Sequence, residues 1–397
     1  MTDRIKQNFV DYDVHGLVGI RLIHPSEANV AAVGRQIGFS PTQLSREPDI
    51  IIRFTDDLPV KNLRLLGLNQ AAFTDDGFFV LGKGKRSAKV KIPFDQIGSR
   101  CEIVCESRVL SIPLLIPILN LTLLSKGFIS LHASAFVLNQ AGILVTGWAK
   151  GGKTEALFSF ANNGAQYLGD EWIILSADGQ RMHGIPEPIR LWDWHLDYLP
   201  HIAGRLRLED RLVFKAIRTL DKLNQLISRS RLQKSLPAKF LNKAMPALRR
   251  QLNVTIPPSE IFGCNVHLSA KPEKLFFLIS HQDESYHAEP VDPREIAQRM
   301  MASILYEQLP FMAYYKAFKF AFPGKRNSFL ENVEQLANDL LTSALEGIEA
   351  YQILHPYPVS FPALYEMMLQ YCEAKDLVQP ISSFASKPVL DLANPSV

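Results

Sequence analysis

The chain has 397 residues, 47% of them hydrophobic and 21% charged, with a formal net charge of +3. This is the balance of a globular protein with real cores and room for two or three domains. It has no internal repeats, no low-complexity tracts and no Cys/His spacing suited to zinc, which excludes solenoid and zinc-module classes.

Residues 1–110 are expected to form a separate α+β unit. Strand-like runs at Asp49–Phe54, Phe78–Leu81, Ala88–Ile92 and Cys101–Val104 are broken by Asp-Asp-Gly and Lys-Gly-Lys turns. The unit carries no motif with assignable chemistry, and scaffolding is its expected role. The apolar run Val109–Leu124 is shorter than the ~20 residues of a spanning helix and is interrupted by Pro113, Pro117 and Asn120. It is expected to be a buried helix. The polar start Met1-Thr2-Asp3-Arg4 has no apolar signal core, and Cys101, Cys105, Cys264 and Cys372 form no secretory framework, so a reduced, cytoplasmic setting is expected.

The most informative segment begins at Gly147. Gly147-Trp148-Ala149-Lys150-Gly151-Gly152-Lys153-Thr154 matches the phosphate-cradle pattern G-x-x-x-x-G-K-[ST]. Glycines let consecutive N–H groups turn inward on phosphate oxygens, the Lys153 ammonium reaches the β- and γ-phosphates, and the Thr154 hydroxyl can ligate Mg²⁺. Gly142–Thr146 reads as a buried strand entering the loop. Thr154–Asn162 reads as a helix stopped by Asn163-Gly164. Such a helix turns its positive end toward the anion. The ligand expected is a nucleotide, ATP with Mg²⁺.

Asp170 and Glu171 follow only a few residues after that helix stop, with Trp172, Ile173, Ile174 and Leu175 behind them. The acids therefore read as part of a strand directly after the helix. Unpaired carboxylates inside an apolar strand are costly, and a Mg²⁺–nucleotide would offset the cost. Adjacent strand residues point to opposite faces, so both acids reach the phosphates only through a local bend.

This arrangement resembles the HPr kinase/phosphorylase group and, more distantly, the phosphoenolpyruvate carboxykinases. The resemblance rests on Leu131-His132-Ala133-Ser134-Ala135, the hairpin turning at Asn139-Gln140-Ala141-Gly142, the phosphate loop with Glu155-Ala156-Leu157 after it, and the acid pair. The close match covers His132 to Leu175, with weaker echoes at Leu275–Ile279 and Tyr351–Leu354. It implies an α/β P-loop core of the HPr kinase/carboxykinase type spanning 111–375. It also implies Asp170 as base toward a substrate hydroxyl, Glu171 with Thr154 as metal holders, His132 near the transferred phosphate and Arg190 as a phosphate contact. Gly147, Gly151, Gly152 and Lys153 would hold the nucleotide. Three features depart from the family pattern: Lys150 stands where a Gly is usual, the second acid is Glu, and Pro186–Trp192 stands where a glycine-rich stretch is expected. The acceptor hydroxyl, on a small molecule, peptide or protein, is left open, as are a decarboxylating carboxykinase and a non-catalytic nucleotide-binding protein. Multimers are a further implication of the family.

Beyond the acids, Trp192-Asp193-Trp194-His195 reads either as an acceptor-pocket wall or as packing at a domain junction. A basic helical insertion, 203–252, comes next. Arg205 to Arg250 holds thirteen Lys/Arg against three acids, about +10, so the rest of the chain carries about −7. Leu212, Phe214, Ile217, Leu220 and Leu223 recur at helix spacing within it. A basic amphipathic helix suits an acidic partner or a membrane surface, and no nucleic-acid fold signature accompanies it. Core elements then resume, with a buried strand at Leu275–Ile279, helices at Arg294–Tyr306 and Phe329–Leu345, a strand at Tyr351–Leu354 and a helix at Phe361–Tyr371. Residues 376–397 read as a loose tail.

Overall fold

A computed structural model describes residues 9–66, 71–81, 89–161, 163–228 and 235–373; the tail expected at 376–397 lies outside them. The fold is mixed α/β. Contacts among the described residues divide them into a larger unit, within 9–187 and 265–373, and a smaller one, within 188–264.

The larger unit opens with β1 (Phe9–Val14), β2 (Val18–Ile23), α1 (Glu27–Ile37), β3 (Ile50–Thr55), β4 (Arg64–Leu65), β5 (Ala71–Thr74), β6 (Gly77–Leu81), β7 (Lys89–Ile92) and β8 (Cys101–Glu106). They build one eight-stranded sheet in the order β1-β2-β3-β8-β7-β6-β5-β4. α1 starts at a capping box, with Ser26 accepting from the Asn29 amide and Asn29 returning to the Ser26 amide. The apolar run after this sheet forms the buried helix α2 (Leu115–Ser125). No helix among the described residues is long and apolar enough to cross a membrane.

The second sheet begins with β9 (Phe128–Leu138) and β10 (Ala141–Gly147). Asn139 and Gln140 join them, both at positive φ (49° and 70°), the geometry of a two-residue hairpin turn matched to strand twist. That turn sets the register, with Leu138 opposite Ala141 and Ala133 opposite Thr146. The loop 148–152 leads into α3 (Lys153–Ala161), and β11 (Gln166–Gly169), β12 (Trp172–Ser176) and β13 (Met182–Gly184) follow.

The smaller unit holds β14 (Ile189–Trp192), α4 (Pro200–Ala203), α5 (Leu208–Ser228), α6 (Leu236–Arg249), β15 (Asn253–Ile256) and α7 (Pro258–Phe262), with β14 paired to β15. α5 has three sectors. Phe214, Ile217 and Asn224 are buried. Arg211, Lys215, Arg218 and Lys222 recur every three or four residues along an exposed row. Leu208, Leu212, Leu220, Leu223 and Leu226 remain exposed on the far side of that row.

The chain then returns to the larger unit with β16 (Ser269–Ala270), β17 (Pro272–His281), β18 (His287–Pro290), α8 (Pro293–Ala321), α9 (Ser328–Leu345), β19 (Glu349–Pro356) and α10 (Phe361–Glu373). The second sheet runs β16-β13-β12-β9-β10-β17-β19-β18, with β11 also on β9. Its centre, β10-β17-β19, is parallel. α8 runs well past the expected end at Tyr306, through Pro310, because Phe311, Tyr315 and Phe318 are buried and pack around Phe94. Both sheets contribute to one continuous apolar core.

Candidate active site

The loop 148–152 leaves the carboxyl end of β10, a central strand of the sheet that borders the parallel group, where open α/β sheets place ligands. Its glycines have steric reasons. A Cβ on Gly147 would lie 2.6 Å from the Leu278 carbonyl oxygen, and one on Gly152, at φ 96°, would lie 3.1 Å from His355 Nε2. Lys150 sits at φ 63°, in the left-handed region that glycine adopts freely. The departure at this position thus keeps the glycine-like backbone and carries its steric cost.

Lys153 opens α3 and is only 6% exposed. Its ammonium donates to the carbonyl oxygens of Gly147 (3.2 Å) and Trp148 (2.9 Å), so it folds back over the loop. Burial lowers its pKa, against the opposing pull of Asp170 and Glu171. The first turn of α3 leaves amide groups without helix partners, directed toward the same space.

The acids do not lie within a continuous strand, as the sequence suggested; the strand breaks at them. β11 ends at Gly169, β12 starts at Trp172, and Glu171 has φ 73°. A register irregularity between Tyr167 and Gly169 accompanies the break. This is the local bend that the alternation of strand side chains demanded. Asp170 is 5% exposed, and the Thr154 hydroxyl contacts both its oxygens, at 3.2 and 3.0 Å. Burial first, then the Glu171 charge, pushes its pKa up to about 7. Glu171 turns to His132, whose Nε2 lies 3.0 Å away, while His132 Nδ1 lies 2.9 Å from Glu307 on α8. Burial would lower the His132 pKa, but hydrogen bonding to Glu171 and Glu307 outweighs it and raises it.

Thr154 is thus joined to Asp170 rather than to Glu171, its expected metal partner. His132, Lys153, Thr154, Asp170 and Glu171 are linked directly or through shared electrostatics. Arg190 belongs to the smaller unit, exposed on β14 opposite Thr255.

Three participants escaped the sequence reading. Glu307 holds His132 from α8. His355, fully buried at the end of β19, donates from Nε2 to the Gly151 carbonyl at 3.0 Å and so fixes the loop from below. Glu187 has a buried Oε1 without a hydrogen-bond partner, and burial, then the charges of Glu171 and Asp170, pushes its pKa up to about 7. Only Glu187, an acid between two prolines just after the acid strand, left a local signal.

Among the described residues no group of three or more His, Cys, Asp or Glu side chains is arranged to hold a metal alone. A Mg²⁺ carried on phosphates needs only one or two protein oxygens, and Thr154 and Asp170 offer a hydroxyl and a carboxylate side by side. No protein-family model matches the chain, and no curated protein matches it.

Proposed function

We propose that the chain is a Mg²⁺–ATP-dependent phosphotransferase of the HPr kinase type, with a P-loop core, that moves the γ-phosphoryl group to a hydroxyl. The observation that carries this reading is the bend at Asp170-Glu171, which directs one acid to Thr154 and the other to His132 beside the loop. Phosphoryl transfer works mainly by positioning and charge neutralisation. In this reading the loop amides and Lys153 hold the β- and γ-phosphates once the ammonium leaves the loop carbonyls. Thr154 supplies a metal ligand, with Glu171 assisting. Asp170 takes the acceptor's proton, a role suited to a carboxyl with a pKa near neutrality. Mg²⁺, when bound, neutralises charge on the transferring group.

The Thr154–Asp170 contact favours a second assignment of the acids within the same reaction. Asp170 is then the metal-side carboxylate, and Glu171 with His132 faces the acceptor. The test of the function is incubation of the full chain with γ-labelled ATP and a cell extract, separated into protein and small-molecule fractions. A labelled product that disappears with Lys153→Ala supports the reading. ATP bound with no labelled product in either fraction overturns it and leaves a nucleotide-binding protein.

A further inference from the structure

Buried polar atoms without partners are few in folded proteins. Here three of them surround one cavity in the larger unit: Asn120 Oδ1 on α2, Ser130 Oγ on β9 and Gln308 Oε1 on α8. Ser130 is only 6% exposed. His132, Glu307 and the Trp172 indole complete the part of the lining that matters here. The enclosed space is about 30 Å³, enough for about two water-sized groups. Such a concentration marks a place where hydrogen-bonding groups from outside the chain belong.

The cavity is aligned with the site. Ser130, His132 and Ser134 alternate along β9 and so share a face, about 7 Å from one to the next. Ser134 donates to the Lys153 carbonyl at 2.7 Å, His132 meets Glu171, and Ser130 lies in the cavity. One strand face therefore runs from the phosphate loop, past the acids, to the unpartnered polar groups.

We propose that this cavity is the acceptor subsite and that the acceptor is a small neutral polyol. The inference rests on the phosphotransferase reading. The three orphaned atoms are the Ser130 hydroxyl, which can donate and accept, and the carboxamide oxygens of Asn120 and Gln308, which accept from hydroxyl protons. None is charged, and the nearby Glu307 and Glu171 carboxylates disfavour an anionic acceptor. A hydroxymethyl group fits the enclosed end, the carbon chain lies against the indole of Trp172, and a second hydroxyl extends toward the acids. In the reaction that hydroxyl oxygen bonds to the γ-phosphorus as the bond from phosphorus to the β,γ-bridging oxygen breaks. The proton goes to Asp170, and ADP leaves with the electron pair.

Two readouts test this on the full-length protein. Saturation-transfer NMR with glycerol, erythritol, xylitol, inositol and glucose reads binding without turnover; γ-labelled ATP with the same compounds reads transfer. At least one polyol is expected to bind and to become labelled. Ser130→Ala, which removes the hydroxyl, and Asn120→Leu, which fills the space, should each raise the acceptor KM at least about tenfold, the loss of one good hydrogen-bond partner. Melting curves identify any variant that fails to fold, and the other then carries the test. If ATP is turned over but no polyol binds, or label appears only on protein serines, the cavity is not the acceptor subsite while the kinase reading stands. Polyol binding that ignores both substitutions overturns the inference as well. If ATP itself does not bind, the kinase reading fails, and with it the acceptor role, whatever the NMR shows of the cavity.

Discussion

The hydroxyl of Thr154 lies 3.0 Å from Oδ2 of Asp170, joining the first turn of α3 to the end of β11. This contact brings the phosphate-cradle motif and the acid pair, sixteen residues apart, to one point.

In the proposed reading Lys153 is the cation that meets the β- and γ-phosphates. Lys153→Ala should weaken Mg²⁺–ATP binding at least about tenfold, or about 1.4 kcal/mol. Calorimetry on both proteins measures it, and equal affinities would remove the phosphate cradle from the account.

The two acids should fail in different ways. Asp170→Asn keeps the contact with Thr154 but takes no proton, so transfer should fall by about 10²–10⁴-fold with a near-normal Mg²⁺ requirement. Glu171→Gln should raise the Mg²⁺ requirement and recover partly with added metal. Steady-state rates across a Mg²⁺ titration give both answers, and the reverse pattern would assign Asp170 to the metal.

Asp170 also links stability to pH. Its folded pKa is raised to about 7, above the ordinary carboxylate value of 3.8, so the folded state binds this proton more tightly than the unfolded state. The resulting stability is fully present below about pH 4 and is lost as pH rises through about 7. Asp170→Asn removes the titration. The variant should melt close to wild type near pH 4 and above it near pH 8, by scanning calorimetry. A gap that does not widen with pH would mean the carboxyl titrates normally.

Lys150 holds a left-handed backbone without being glycine. Lys150→Gly should keep nucleotide affinity and change stability by less than about 1 kcal/mol, since relief of strain offsets the entropy of glycine. Lys150→Val should destabilise relative to Lys150→Gly, because a β-branched residue tolerates a positive φ poorly. Urea unfolding of the pair reads the difference.

The cation row of α5 leads us to propose that the smaller unit meets an anionic lipid surface. Arg211, Lys215 and Lys222 are exposed and enter no ion pair among the described residues, and exposed leucines border them, the make-up of a helix that lies in a membrane interface. The neighbouring cations Arg229, Arg231 and Lys234 fall outside the described residues. Co-sedimentation with phosphatidylserine vesicles should fall steeply with salt and with Arg211→Gln/Lys215→Gln/Lys222→Gln, while neutral vesicles retain little protein. Equal retention on both vesicle types would leave these residues as a solvated face.

Local chemistry made part of the site legible in the sequence. The glycines around Lys153 and the Asn139-Gln140 turn are short-range signals, and the strand, loop and helix follow from them. The break at Glu171 was legible only as a geometric need, because a Glu at positive φ announces nothing in its neighbours. Glu307 and His355 reach the site from α8 and β19, 175 residues from His132 and 204 from Gly151, and contacts that distant leave no period to read. In the N-terminal sheet β3, β6, β7 and β8 stood out as alternating or apolar runs, whereas β1, β2 and α1 passed unnoticed. Their boundaries depend on a turn and a Ser26 cap that only tertiary packing makes decisive.

The His355–Gly151 hydrogen bond orders events during synthesis. The glycine loop leaves the ribosome roughly 200 residues before the imidazole that braces it, about 10–40 s earlier at ordinary elongation rates. During that interval the strand between loop and brace is also missing, since β17 separates β10 from β19. A nascent chain therefore carries the motif long before it owns a rigid cradle, and affinity for nucleotide should switch on only as the last strand emerges and docks.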